Sequence, residues 1–417
     1  MKYIFLSILS TFLFLVGHGQ SYSLQQLEAS FLENNYALLA SKFDISRAEA
    51  EVIQERVWPN PTIYIDQVNL WSNRTVDLLP RLIGEYGRKQ QLVAGLEQLI
   101  ETAGKRKKRV VIKQLEQKTS IYEFEELTRE LKKELRQAYY RLASLSQEHQ
   151  QLEAIVALFK QLNEQYERQV VLENVSRVDY HRVQSEYVSL RKEQVDLEDD
   201  IAEDLEKLRV LTQLEGLRLS QLVFDTQEQQ RMKPLPADIL ELAMGQNIGI
   251  KRQATELEKA GTQLMLEKAQ RKPDLTLMLG YDRGGNTMQD FIGVGVSVDL
   301  PVFNKNKGNI KAAEFQVKKE EAVQHALKWE LESAVIRLNG QLQKYQHSLS
   351  DWPTDASMGR QDMLDGYKKH LQSGQVTLIE FIDFTQASRD AHKAYLDTWE
   401  NYNITYEELQ YLVGKDF

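Results

Sequence analysis

Residues 274–282 read Asp-Leu-Thr-Leu-Met-Leu-Gly-Tyr-Asp, and residues 291–300 read Phe-Ile-Gly-Val-Gly-Val-Ser-Val-Asp-Leu. Both stretches alternate with period two. Leu275, Leu277, Leu279 and Tyr281 share one face, and Ile292, Val294, Val296, Val298 and Leu300 share one face of the second stretch. Thr276, Met278, Gly280, Gly293, Gly295 and Ser297 fall on the opposite faces. Arg283-Gly284-Gly285-Asn286 supplies turn chemistry between them. The pattern predicts a β-hairpin with strands over 274–282 and 291–300, apolar on one side and small or polar on the other. Strands of about nine or ten residues suit a tilted crossing of a bilayer, although a sheet with one buried face alternates in the same way.

An earlier pair of extended stretches is less regular. Pro61 to Trp71 brings Ile63 and Ile65 together, and Gln90 to Ile100 brings Leu92, Ala94, Leu96 and Ile100 together. The loop between them carries Pro80, Gly84 and Gly87.

Most of the remaining chain reads as amphipathic helix. Leu127, Leu131, Leu135, Ala138, Leu142, Leu145, His149, Leu152, Val156 and Phe159 recur at spacings of three and four, a seam of the coiled-coil kind. Helix from about Lys105 to Gln169 would be roughly 100 Å long at 1.5 Å per residue. His149 reads as a polar residue tolerated on that seam. A returning helix carries Val183, Tyr187, Leu190, Leu197, Ile201, Leu205 and Leu208. A second pair carries Ala313, Leu327, Leu331, Leu338 and Leu342, then Phe381, Phe384, Ala387, Ala391, Trp399, Tyr402, Leu409 and Leu412. Such seams must be buried against one another, so helical hairpins are implied.

The two halves echo each other. Trp58-Pro59-Asn60-Pro61 precedes the first strand as Arg271-Lys272-Pro273-Asp274 precedes the third. Gly104-Lys105-Arg106 corresponds to Lys307-Gly308-Asn309, Val175-Ser176-Arg177-Val178-Asp179 to Val376-Thr377-Leu378-Ile379-Glu380, and Leu211-Thr212 to Leu412-Val413. The expected organisation is a secretory signal over 1–20 and two repeats over 21–231 and 232–417, with helical hairpins at about 105–215 and 306–413. Each repeat reads helix, β-hairpin, long helix, turn, long helix. The signal reading rests on Lys2, the apolar run Tyr3 to Val16 and the small residues around Gly17 and Gly19.

Composition excludes several classes. The 417 residues contain no cysteine, which removes disulfides, thiolate metal sites, cysteine nucleophiles and an N-terminal lipidated cysteine. A net charge of -9 argues against nucleic-acid binding. The basic run Lys105-Arg106-Lys107-Lys108-Arg109 then reads as a solvated helix turn near a membrane base. No HExxH-type histidine pair, phosphate loop or Ser-His-Asp grouping stands out, so neither an enzyme nor a cofactor is expected. Beyond residue 20 no run of about 18 apolar residues exists, so a membrane role would fall to the strands. Four strands are too few to close a barrel, which needs about eight. Several chains would have to share one.

These features resemble the TolC-like outer membrane efflux protein family over essentially the whole chain after the signal. The stretch Asp299-Leu300-Pro301-Val302-Phe303-Asn304-Lys305-Asn306-Lys307-Gly308-Asn309-Ile310 is similar to its heavy-metal (cation) branch, whose channels serve RND pumps. Trp58-Pro59-Asn60-Pro61 before a strand, Gly104-Lys105-Arg106 after one, and Tyr367 to Asp383 are the other marks of the resemblance. The resemblance implies a mainly α fold with a membrane β-barrel contribution. It implies a homotrimer with a shared twelve-stranded barrel and a helical tunnel, seated in outer-membrane lipid and extending into the periplasm. A periplasmic adaptor and an inner-membrane RND pump would be the partners, and the cargo would be heavy-metal cations. A drug-efflux or type I secretion channel of the same fold, and an exported coiled-coil protein without a pore, are the alternatives.

The resemblance also locates a gate. The turns between long helices are expected at Leu172 to Arg177 and at Ser373 to Thr377, with Glu173, Asn174 and Gly374 as tip residues. Glu380 and Asp383 match the family's constriction acids, and Asp179 is the first-half counterpart of Glu380. The competing reading makes all three solvated charges in a chain with 61 acidic residues. The family often has glycine in both turns. Here Glu173 stands in that place in the first, and Asn174 is expected to supply the left-handed conformation. Tyr395, Trp399 and Tyr402 read as core or interface filler.

Overall fold

The structure, a computed structural model, describes residues 21–66, 68, 71, 78–224, 232–284, 288–352 and 360–417. The expected signal over 1–20 lies outside these residues. So do Gln67, Asn69 and Leu70 of the first expected strand, Gly285 and Asn286 of the turn, and Arg231 at the expected repeat boundary. The chain forms two compact units. Of the described residues, one holds those within 37–127 and 241–333, and the other those within 21–36, 128–240 and 334–417.

The first unit contains the sheet. Four strands, β1 (Thr62–Asp66), β2 (Val93–Ile100), β3 (Leu275–Gly284) and β4 (Gln289–Val298), pair antiparallel in sequence order. Leu96 faces Leu279, and Leu279 faces Val294, so the apolar positions of successive strands line up on one face. Tyr64 lies opposite Gly95, and its ring occupies the space where a Cβ on Gly95 would stand. A glycine is required there by that close approach.

The strand limits differ from the sequence expectation. β1 stops at Asp66, and Trp71 is not in it. β2 starts at Val93 because Gln90 is used in a turn, where its side-chain oxygen accepts from Gly87 N at 2.8 Å. β3 and β4 extend toward each other as far as the pair Gly284 and Gln289, and Leu300 falls outside β4.

The helices of this unit are α2 (Tyr36–Glu55), the start of α3 (Lys105–Val171), α6 (Ile248–Ala269) and the start of α7 (Lys307–Ser350). The joint before α3 is built from charges. Lys105 is 3% exposed, pairs with Asp274 at 2.8 Å and donates to Lys272 O at 2.7 Å. Arg109 grips both oxygens of Glu101 at 2.7 Å and reaches Glu55 at 2.5 Å. Arg106 stacks on the Trp58 ring at 3.8 Å. The basic run is therefore no simple solvated turn: three of its residues fasten the strand ends to the helix. Ala103 and Gly104 both have positive φ before α3. Before α7 the left-handed residue is Asn306, whose side chain bonds Glu267, while Gly308 is already inside the helix.

The second unit is helical. It contains α1 (Leu24–Asn34), the rest of α3, α4 (Arg177–Thr212), the rest of α7, α8 (Arg360–Gln372) and α9 (Leu378–Val413). The short α5 (Ile239–Gln246) precedes α6. From Leu135 to Phe159 the expected seam is buried except His149. His149 is half-buried and sits 3.6 Å from Glu198 on α4. On α4, Val183, Leu190, Leu197, Ile201, Leu205 and Leu208 are buried. On α9, Ala387 and Ala391 are exposed, contrary to the expected seam, which instead runs through Phe381, Thr385, Leu396, Trp399, Tyr402, Tyr406 and Leu409. Trp399 and Tyr402 are buried, as core filler should be.

The second long helix is not continuous to its tip. It ends at Ser350, and helix resumes at Arg360. Pro353 follows Trp352 and disfavours helical φ and ψ at the residue before it. The C-terminal ends of α4 and α9 close alike. Gln213 and Gly414 both have positive φ, and their N–H groups donate to Arg209 O and Gln410 O.

One buried ion cluster braces this unit. Arg136 reaches Glu28 at 2.5 Å, Glu407 at 2.8 Å and Asp416 at 3.2 Å. The Glu407 side chain, 2% exposed, also takes Lys233 at 3.2 Å. Removing either cation would leave a buried carboxylate short of charge compensation.

Candidate pore: the sheet face and the helical tips

One face of the sheet is both apolar and open. Ile63, Ile65, Leu277, Leu279, Ile292, Val294 and Val296 are exposed, Val294 to 88%. The registers place these residues on a common face. Such a contiguous patch is unfavourable in water and suits lipid. The opposite face carries Tyr64, Gly95, Thr276, Met278, Gly280, Gly293, Gly295 and Ser297. β1 and β4 each keep one edge without a strand partner among the described residues. Among those residues no helix is long and apolar enough to cross a membrane. Nor does any group of three or more His, Cys, Asp or Glu among them fit a metal ion.

The tips of the helical hairpins are built alike. At the end of α3, Glu173 N donates to Val170 O at 3.2 Å and Asn174 N to Gln169 O at 3.0 Å. At the end of α8, Gly374 N donates to Leu371 O at 3.1 Å and Gln375 N to His370 O at 2.9 Å. Both are Schellman closures. The left-handed residue is Glu173 in the first, φ 56°, and Gly374 in the second, φ 72°. Asn174 does not take that role, contrary to expectation. Its side chain bonds Gln169 at 2.7 Å instead, and Gln375 bonds His370 in the same relative position.

The next helix then starts with a cap. Ser176 Oγ accepts from Asp179 N at 3.0 Å and donates to Asp179 Oδ2 at 2.7 Å. Thr377 Oγ1 accepts from Glu380 N at 3.3 Å, and Glu380 Oε2 accepts from Thr377 N and Thr377 Oγ1, each at 2.8 Å. The sequence analysis missed these caps, although Ser176-x-x-Asp179 and Thr377-x-x-Glu380 carry their signature. Bonds from the Thr377 N–H and hydroxyl hold the Glu380 carboxyl below its usual range. Burial, with help from Asp179, pushes the Tyr166 hydroxyl up.

Of the three expected gate acids, Asp179 and Glu380 each cap their own helix. Glu380 and Asp383 are exposed, and Asp179 is half-buried. The Asp383 side chain makes no hydrogen bond or ion pair among the described residues. Within one chain, Asp179 does not meet the other two. The hairpins are tied instead by residues the sequence did not single out for this. Phe159 and Phe381 meet at 6.1 Å, Gln386 donates to Glu186 at 3.0 Å, Arg389 pairs with Glu193 at 3.2 Å and Lys393 with Glu148 at 2.7 Å.

A sheet with a lipid-suited face and open edges, joined to capped helical hairpins, defines a class of membrane channel subunits. The chain belongs to the outer membrane efflux protein family, whose model matches residues 28–212 and 239–415. It is similar to the cobalt-zinc-cadmium resistance protein CzcC of Cupriavidus metallidurans, 23% identical over 141 residues. That match spans 34% of this chain and 34% of the length of that relative. Among solved structures, CusC superposes with TM-score 0.71 at 17% identity, covering 94% of this chain and 92% of CusC. The CmeC outer membrane channel of Campylobacter jejuni gives 0.72 at 13%, covering 94% and 85%. The outer membrane protein VceC of Vibrio cholerae gives 0.72 at 16%, covering 94% and 96%.

Proposed function

We propose that the protein is the outer-membrane channel subunit of a tripartite efflux system, a passive duct that catalyses no reaction. The observation that carries this is the four-stranded sheet with one exposed apolar face and two open edges. Backbone groups left unpaired in lipid cost several kcal/mol each, on the order of the value for any desolvated amide. A lone chain could not keep this sheet in a bilayer. Three copies would pool twelve strands into one closed barrel, and the helical hairpins would continue the duct. The like closures at Glu173 and Gly374, and at Gln213 and Gly414, support an origin in two repeats.

Energy would come from an RND pump through an adaptor. The likeness to CzcC supports divalent metal cations as cargo. A strain lacking this gene should lose tolerance to cobalt, zinc or cadmium. Loss of drug tolerance alone would count against metals.

Glu380 and Asp383 form the proposed constriction. Both are exposed and one helical turn apart, so three copies would give two stacked rings of carboxylates. The test should spare the cap, since Glu380 also closes its own helix. Glu380→Gln keeps an acceptor for Thr377, and Asp383→Asn removes the second charge. In a planar bilayer the double variant should conduct more and prefer cations less. Conductance and selectivity equal to the wild type would reject the gate.

A further inference from the structure

At the foot of the sheet, where β1 starts and β2 ends, lies a cleft of about 370 Å³ lined by Arg56, Trp58, Glu101, Arg106 and Lys107. We propose that this cleft binds the phosphodiester headgroup of an anionic phospholipid. The inference rests on the membrane-spanning reading of the sheet.

The charge balance of the cleft points to an anion. Glu101 is its one acid, and Arg109 already holds both oxygens of that carboxylate at 2.7 Å. Arg56, Arg106 and Lys107 form no ion pair among the described residues. Three uncompensated cations around one hollow repel one another, and a phosphate relieves that repulsion. Arg106 is held in place, stacked on Trp58 at 3.8 Å with one N–H directed at Arg56 O at 3.5 Å. Its planar fork is therefore presented ready-made to an oxyanion.

The location points to a lipid as the source of that anion. The cleft abuts the end of the sheet whose exposed face carries Ile63 and Ile65. Val57 and Trp58 are exposed beside it, and interfacial aromatics mark the headgroup level of membrane proteins. The same end of β4 leads into Val302 and a wholly exposed Phe303, followed by exposed Lys305 and Lys307. Acyl chains on the apolar face would thus bring their phosphates to these cations.

The test uses the full-length protein purified in detergent and put into vesicles of phosphatidylcholine with or without phosphatidylglycerol. Lipid retained after re-extraction is counted by native mass spectrometry. Wild type should retain phosphatidylglycerol over phosphatidylcholine. Neutralising Arg56, Arg106 and Lys107 to Gln should weaken that retention by at least about tenfold. Lys107→Glu, at an exposed position with no partner to lose, should weaken it as well without disturbing the fold. Neutralising exposed Lys318, Lys319 and Lys344 should leave it unchanged. Equal retention by wild type and both cleft variants would overturn the site while the channel reading stands. Occupancy by inorganic phosphate with no lipid preference would overturn the lipid assignment. Failure of the wild type to enter vesicles at all would overturn both readings.

Discussion

At the tip of the first hairpin a glutamate holds the backbone conformation that glycine holds in the second. Glu173 has φ 56° and Gly374 φ 72°. A residue with a Cβ costs about 1 kcal/mol or more in that region. Glu173→Gly should therefore raise the stability of the detergent-solubilised protein by roughly 1 kcal/mol, and Gly374→Ala should lower it by a similar amount, both read from melting curves. The Lys105–Asp274 pair is a second point of stress. Burial alone would push the Asp274 carboxyl up, but Lys105 and Thr102 hold it below its usual range. Lys105→Met should cost on the order of 2 kcal/mol, because Asp274 loses its counter-charge in a half-buried joint. Asp274 and Glu380 both have depressed values, so their stabilisation is present above the ordinary carboxylate range and is lost as pH falls through it. The melting temperature should hold from pH 7 to about 5 and drop below about 4. A flat profile through that acid range would contradict these contacts.

At the scale of the element, the strands should be sensitive to which face is altered. Val294→Lys puts a charge on the exposed apolar face and should cost about 2–4 kcal/mol near the bilayer midplane. Met278→Lys on the other face should be tolerated. Folding into vesicles, followed by the gel shift between folded and heat-unfolded protein, separates the two. Equal yields would mean the sheet has no lipid side. These elements were legible because they are periodic. Leu275 to Tyr281 and Ile292 to Val298 alternate cleanly, and the seam from Leu135 to Phe159 keeps its three-four spacing. Other features depend on partners far along the chain, which no local window contains. The buried state of Lys105 needs Asp274, and the half-burial of His149 comes with Glu198. The stop at Ser350 comes shortly before Pro353, a local signal that the apolar spacing of the helices on either side does not reveal. The capping roles of Asp179 and Glu380 follow from Ser176 and Thr377 three residues earlier, a signal the sequence carries but that the gate reading passed over. Whether Glu380 and Asp383 line a pore depends on neighbours that one chain does not supply.

At the scale of the whole molecule, the account turns on the number of strands. Among the described residues one chain offers four, with β1 and β4 unpartnered on one edge each. Lipid tolerates no such edges, so in the proposed channel further copies would complete them. The exposed Ala387 and Ala391 on α9 would then allow close approach of helices from a neighbouring copy. The most direct test is the mass of the protein extracted from outer membranes in mild detergent, with bound detergent subtracted. The account predicts three chains per particle. A particle of one chain, stable in water without detergent and with its apolar sheet face covered by its own residues, would contradict it.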